Sequence, residues 1–196
     1  MEEIFQPVAA LVVAYLLGSV DFGVLVSRRM GVDIYEHGSG NPGTSNVLRT
    51  LGKKAAGLVL LGDALKGLVA VGIASWLGGE TVGFAAAFLA TAGHSFPIWH
   101  RFRGGRGVAT AIGGAIWLEP LLGLALAIGW LAIVLATKTA SIASLGAMAL
   151  YVPLFLIAGH RGWAILWAAL TAALVIWRHS DNIRRILTRA ENRVPT

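Results

Sequence analysis

Cysteine is absent from the chain, which excludes a disulfide framework, cysteine-ligated metals and thiol nucleophiles. Charge is scarce. Asp, Glu, Lys and Arg together make up 13% of the residues, against about 25% in soluble domains. Hydrophobic residues fill the gap at 56%, with a mean hydropathy of +0.71. A chain so apolar would not stay in solution, so an integral membrane protein is expected. A basic leader is missing too. The opening "MEEIFQPVAA" carries acids where a signal peptide is basic, and no small-residue cleavage site stands out. The first apolar segment is therefore expected to be a retained span. The length suits one domain, 1–196.

A spanning helix needs about 20 mostly apolar residues. Segments 6–27, 55–78, 81–99, 121–137, 141–159 and 162–178 qualify. A seventh, "GVATAIGGAIWL" at 107–118, would rise only about 18 Å. It can cross if interfacial residues complete it or the bilayer thins. The net charge of +6 is distributed as topology rather than as a nucleic-acid surface, and no nucleic-acid partner is expected. Arg28, Arg29, Arg49, Lys53 and Lys54 follow the first segment, and Arg101, Arg103 and Arg106 follow the third. Lys138 and the tail from Arg178 to Arg193 add further basic residues. Glu2, Glu3, Glu80 and Glu119 mark the opposite ends, with Arg161 the one basic exception. Basic loops stay in the cytoplasm. Alternation works only if 107–118 crosses. The expectation is an all-α integral membrane protein of seven transmembrane helices, one short, with the N-terminus outside and the C-terminus cytoplasmic.

Four polar stretches then meet one membrane face: "HGSGNPGTSNVLR" (37–49), "GHSFPIWHRFRGGRGVAT" (93–110), "TKTASIAS" (137–144) and "RHSDNIRRILTRAEN" (178–192). In the first, glycines permit positive φ and turn backbone N–H groups toward an anion. Ser39, Thr44 and Ser45 add hydroxyls, Asn41 and Asn46 add amides, and Arg49 can grip phosphate. A flexible cytoplasmic loop accounts for it equally well. "RGGRG" at 103–107 repeats the recipe before a helix start, where anions bind readily. Alone, it also reads as a basic stop-transfer loop. His94 and His179 could donate to phosphate or move a proton, though a lone interfacial histidine is more often structural. Asp63 and Lys66 share a helical face and should pair in lipid. Ser141 and Ser144 suit either phosphate or helix contacts. Trp99, Trp117, Trp163 and Trp177 read as interfacial anchors. Asp21 has no evident partner.

Taken together, "HGSGNPGTSNVLRTLGKKAAG", "GHSFPIWHRFRGGRGVAT" and "HSDNIRRILTRAENR" resemble the three cytoplasmic motifs of the bacterial PlsY family, with "DALKG" and "TASIAS" between them. The likeness runs in order over nearly the whole chain. It implies a multi-pass protein of the bacterial cytoplasmic membrane with its active site facing the cytoplasm. It also implies acyl transfer from acyl phosphate to the 1-hydroxyl of glycerol 3-phosphate, giving lysophosphatidate and phosphate. Membrane lipids are its surroundings, and no cofactor, metal, acyl-CoA or covalent acyl-enzyme is expected. On this resemblance Ser39, Gly40, Asn41, Thr44, Asn46 and Arg49 bind phosphate and position the acceptor. Gly104, Gly105, Arg106 and Gly107 bind phosphate and stabilise the growing charge. Ser144, His179, Asn182 and Glu191 complete the pocket, with Arg106, Ser144 and His179 in catalytic roles.

Several positions depart from the family pattern. Arg106 stands where the family has lysine, and Gly43-Thr44-Ser45 replaces Gly-Ala-Thr. Asp21 replaces a proline, and Arg189 or its neighbour replaces a glycine. Two other readings stay open: a transporter of organic phosphates, and a weakened relative that only binds phosphorylated lipids.

Overall fold

The computed structural model describes residues 2–195. Among them every regular element is helical: α1 (Glu2–Gly18), α2 (Phe22–Arg29), α3 (Thr44–Leu51), α4 (Lys53–Ser95), α5 (Val108–Leu118), α6 (Pro120–Thr137), α7 (Ala140–Ile157), α8 (Trp163–Arg178) and α9 (Ser180–Leu187). Four stretches are long and apolar enough to cross a membrane: Phe5–Arg29, Lys53–His100, Pro120–Thr137 and Ala140–Ile157. A fifth appears when α8 and α9, bent by 55°, are taken together, and α5 is a shorter apolar helix.

Helix α4 is two arms, not one rod. Lys66 Nζ and His94 Nδ1 lie 2.8 Å apart, although 28 residues separate them. A straight helix would hold them about 42 Å apart. The reversal sits at Gly79, midway between them, with φ 78° and ψ −175°. No side chain tolerates that backbone easily, so glycine turns the chain. The gap between the apolar segments 55–78 and 81–99 falls on this residue.

The break between α1 and α2 explains Asp21. Its carboxylate accepts from Val24 N–H at 3.1 Å and caps α2 from within the apolar layer. The cap satisfies a helix donor that lipid could not.

Helices approach through glycine. A Cβ on Gly67 would strike the Thr110 carbonyl, and one on Gly113 would strike the Ala64 carbonyl. These two contacts lock the first arm of α4 onto α5. Gly18 meets Ala90 and Gly93 meets Tyr15 in the same way, joining α1 to the second arm. Close backbone approach replaces the hydrophobic effect as the driving force inside lipid. Gly113→Ala is therefore expected to destabilise the protein by about 1–3 kcal/mol through overpacking. Thermal unfolding in detergent checks it, with Gly129→Ala as a neutral control because its Cβ would meet open space.

A buried cluster around Phe84, Tyr151, Phe155 and Val175 joins the second arm of α4 to α5, α7 and α8. At the end of the bundle nearest Gly79, His160 bridges Glu80 and Glu119 Oε1, the latter at 2.9 Å. Glu80 and Glu119, two of the acids expected at one end, gather there. Arg161 donates to the Leu156 and His160 carbonyls at 2.7 and 2.6 Å, so the basic exception closes the end of α7. Loop–helix junctions carrying the four polar stretches converge at the opposite end.

Candidate active site

The first polar stretch is a turn braced from inside. Gly38 and Gly40 take positive φ, 60° and 65°. Asn46 ties the loop to α3: its Oδ1 accepts from Ser39 N–H at 2.9 Å and its Nδ2 donates to the His37 carbonyl at 2.9 Å. Asn41 Oδ1 accepts from Gly43 N–H at 3.0 Å. Arg49, one turn along α3, donates to Asn46 Oδ1 at 3.3 Å and to Ser39 Oγ at 3.4 Å, both long contacts that hold its guanidinium loosely.

The second stretch turns tightly after α4. Gly105 N–H donates to the His94 carbonyl at 3.0 Å. Arg178 donates to the Gly104 carbonyl at 2.9 Å and the Gly105 carbonyl at 3.3 Å, while stacking over Phe96. Tyr35 donates to the Arg103 carbonyl at 2.5 Å and so joins the two loops. Gly107, at φ 85°, then starts α5. The turn's carbonyls are thus occupied, and the unpaired N–H groups of the α5 start face the site. Arg106 stands beside them, and among the described residues nothing hydrogen-bonds or ion-pairs its guanidinium.

The last two stretches close the far wall. Ser144 Oγ donates to the Ala140 carbonyl at 2.8 Å and accepts from Trp130 Nε1 at 3.0 Å. His179 Nδ1 sits 2.7 Å from the Val175 carbonyl. A carbonyl only accepts, so Nδ1 carries the hydrogen and Nε2 is left as an acceptor. Asn182 Nδ2 and Arg185 Nε donate to the two Glu191 oxygens at 2.7 and 3.0 Å. Arg189 at φ 57° makes the left-handed turn that brings Glu191 back. Left-handed backbone of this kind favours glycine, which the family pattern has at this position or its neighbour.

These walls enclose two cavities. The larger, about 370 Å³, has an apolar body formed by Leu60, Ile112, Ile116, Ile128 and Leu131. Its polar end carries Asn41, Thr44, Asn46, His94, Arg106 and Gly107. The smaller, about 40 Å³, is polar, with Ser39, Arg49, Ser141, Asn182, Arg185 and Glu191 in its lining. Ser45, Arg106, Ser144 and His179 line both and mark where they meet. Asn182 Oδ1, Arg185 NH2 and Ser141 Oγ are buried without a partner in or beside the smaller one. Buried polar atoms without partners are costly, so they suit a polar ligand.

Burial and the neighbouring Arg185 push the Arg106 pKa down to about 10, still charged at neutral pH. Burial pushes His179, beyond the end of α8, down to about 4, so its ring is neutral.

Most residues singled out from sequence come together here. Gly40, Gly104 and Gly105 do not line either cavity; they shape the turns behind them. Asn46 has its amide committed to the loop, and the Ser144 hydrogen is committed to Ala140. Ser45, one of the hydroxyls named in the first stretch, lines both cavities. Two contributors, Arg178 and Arg185, read from sequence only as topology charges. The i, i+3 spacing of Asn182 and Arg185 on α9 could have flagged the latter.

A polar cavity meets an apolar one at the end of a bundle of apolar helices, and the comparisons place that bundle among integral membrane acyltransferases. The chain matches the family model described as glycerol-3-phosphate acyltransferase over residues 8–189, and it belongs to that family. Among curated relatives, the glycerol-3-phosphate acyltransferase of Thioalkalivibrio sulfidiphilus (strain HL-EbGR7) is 47% identical over 184 residues, covering 92% of this chain and 90% of that one. That of Burkholderia pseudomallei (strain K96243) is 45% identical over 195 residues, covering 96% of both. Among solved structures, the glycerol 3-phosphate form of PlsY (YgiH), an integral membrane glycerol 3-phosphate acyltransferase, superposes with a TM-score of 0.92 at 37% identity, covering 97% of this chain and 96% of that one. The lysophosphatidic acid form of the same protein gives 0.89 at 37% identity, covering 95% and 94%.

Proposed function

We propose that the chain transfers a fatty acyl group from acyl phosphate to the 1-hydroxyl of glycerol 3-phosphate. One observation carries the reading: an apolar cavity and a polar one open onto the same four residues, Ser45, Arg106, Ser144 and His179. The acyl chain lies along Ile112, Ile116, Ile128 and Leu131. Its phosphate reaches the α5 N-terminus and Arg106. Glycerol 3-phosphate enters the polar cavity, its phosphate held by Ser39, Arg49 and Arg185, with Asn182 and Glu191 fixing the glycerol hydroxyls. His179 Nε2 accepts from the 1-hydroxyl and orients it.

The hydroxyl oxygen attacks the acyl carbonyl carbon, whose π pair moves onto oxygen. Collapse of that oxyanion breaks the bond between the carbonyl carbon and the phosphate oxygen, and the phosphate leaves with the pair. A neutral histidine of low basicity is a weak sink, so the hydroxyl proton ends on the departing phosphate. Arg106 stabilises the charge on oxyanion and phosphate, and electrostatic terms of this kind dominate many such reactions. Both ligands are phosphates and one is lipid-borne, which accounts for anion loops at a membrane surface. The chain crosses the bacterial cytoplasmic membrane seven times, α4 twice, with its N-terminus outside and the site facing the cytoplasm. The basic loops at the site end support this orientation.

Purified protein in detergent, given palmitoyl phosphate and glycerol 3-phosphate, is expected to release lysophosphatidate and phosphate in equal amounts. Palmitoyl-CoA is expected to give none. Product from palmitoyl-CoA alone would overturn the donor, and no product from either would overturn the reading.

A further inference from the structure

The buried ions Asp63 and Lys66 are not used by the reaction above, yet Asp63 lines the larger cavity and Lys66 touches His94, which also lines it. Lys66 Nζ has three donors and no acceptor. It donates to the Val20 carbonyl at 2.6 Å and to His94 Nδ1 at 2.8 Å, and it ion-pairs with Asp63 Oδ1 at 2.7 Å, an oxygen that lies farther, 3.4 Å, from His94 Nδ1. His94 Nδ1 must then be the acceptor, which leaves the ring hydrogen on Nε2. That atom lies against Gly105, where a Cβ would overlap it. The side chain is 4% exposed and lines the larger cavity beside Arg106. Among the described residues nothing accepts from Nε2.

His94 is thus the mirror of His179. The Val175 carbonyl takes the Nδ1 hydrogen of His179 and leaves its Nε2 an acceptor, whereas Lys66 fills Nδ1 of His94 and leaves its Nε2 a donor; both residues line the larger cavity. We infer that His94 is a further catalytic residue, whose Nε2–H is set by Lys66 to donate to the acyl carbonyl oxygen as it becomes an oxyanion. Asp63 and Lys66 are positioning residues for that donor. The inference rests on the acyl-transfer reading for its ligand. It also accounts for the glycine at 105, since only a missing Cβ lets the ring reach the turn.

Two substitutions separate donation from packing. In His94→Asn the amide oxygen takes the place of Nδ1, so Lys66 keeps its acceptor but the cavity loses its donor. In His94→Gln the longer amide restores an N–H near Nε2. His94→Asn is expected to lower kcat about 10²-fold, the effect of one oxyanion donor, with KM for glycerol 3-phosphate and the melting temperature close to wild type. His94→Gln is expected to recover at least a tenth of wild-type kcat despite melting lower. His94→Asn turning over like wild type, or the two variants losing kcat alike, would overturn the donor role. The tautomer has its own readout, independent of turnover. In ¹⁵N-histidine-labelled protein His94 is expected to show hydrogen on Nε2 alone, and Lys66→Met is expected to mix the tautomers. Hydrogen on Nδ1 in the wild type would overturn the inference. Wild-type protein inactive with acyl phosphate would instead overturn the reading beneath it.

Discussion

Arg106→Ala is expected to lower kcat by about 10²–10³-fold, the range for losing one preorganised charge-stabilising donor, with the melting temperature unchanged. The asymmetry follows from the contacts. Arg178 is occupied by the Gly104 and Gly105 carbonyls, and Arg185 by Glu191. Arg106 has no such partner among the described residues, and it lines both cavities. Its removal takes away a charge at the cavities and breaks no hydrogen bond or ion pair of the fold. Arg106→Lys keeps the charge and loses the planar fork. It is expected to stay within about tenfold of wild type, because the family pattern carries lysine here and the positive charge is kept where the two cavities meet. Steady-state kinetics beside thermal unfolding decide the matter. Full turnover in Arg106→Ala would remove the residue from the mechanism, and a large gain in Arg106→Lys would mark the wild type as a weakened enzyme.

Lys66→Met is expected to be the most destabilising single change. Asp63 and Lys66 are 2% and 6% exposed inside the apolar layer, 2.7 Å apart. Deleting one partner leaves the other charge buried and unpaired, which costs about 3–5 kcal/mol. The same change frees the Val20 carbonyl at the α1–α2 break. Asp63→Leu together with Lys66→Met removes both charges and is expected to regain most of the lost stability. A double-mutant cycle on unfolding midpoints in detergent measures the coupling. Single and double variants of equal stability would mean that the pair does not hold the helices together.

Much of the fold was legible because lipid imposes simple rules. Apolar runs of span length and the separation of Glu80 and Glu119 from the basic loops are local signals, and the helices follow them. Asp21 was opaque because a cap depends on where a helix breaks, and no composition signal marks the break. The Lys66–His94 contact joins residues 28 positions apart. It exists only because Gly79 reverses the chain, so the sequence offered Asp63 and Lys66 as a pair but not the histidine that packs against them. Within the site, the phosphate-binding composition of 37–49 and 103–107 was visible. Which side chains are free was not, since Asn46 and Ser144 look like ligands until their partners are known. Arg185 looked like topology until α9 folded back onto Glu191.

The central claim is direct transfer between two phosphates held in one cleft. The measurement that tests it most directly omits glycerol 3-phosphate. Purified protein is incubated with palmitoyl phosphate and radiolabelled orthophosphate, and the palmitoyl phosphate is recovered. Direct transfer predicts no label in it, because no acyl group leaves the donor until the acceptor hydroxyl attacks. Label entering the palmitoyl phosphate would mean that the protein takes the acyl group covalently, and would contradict the account.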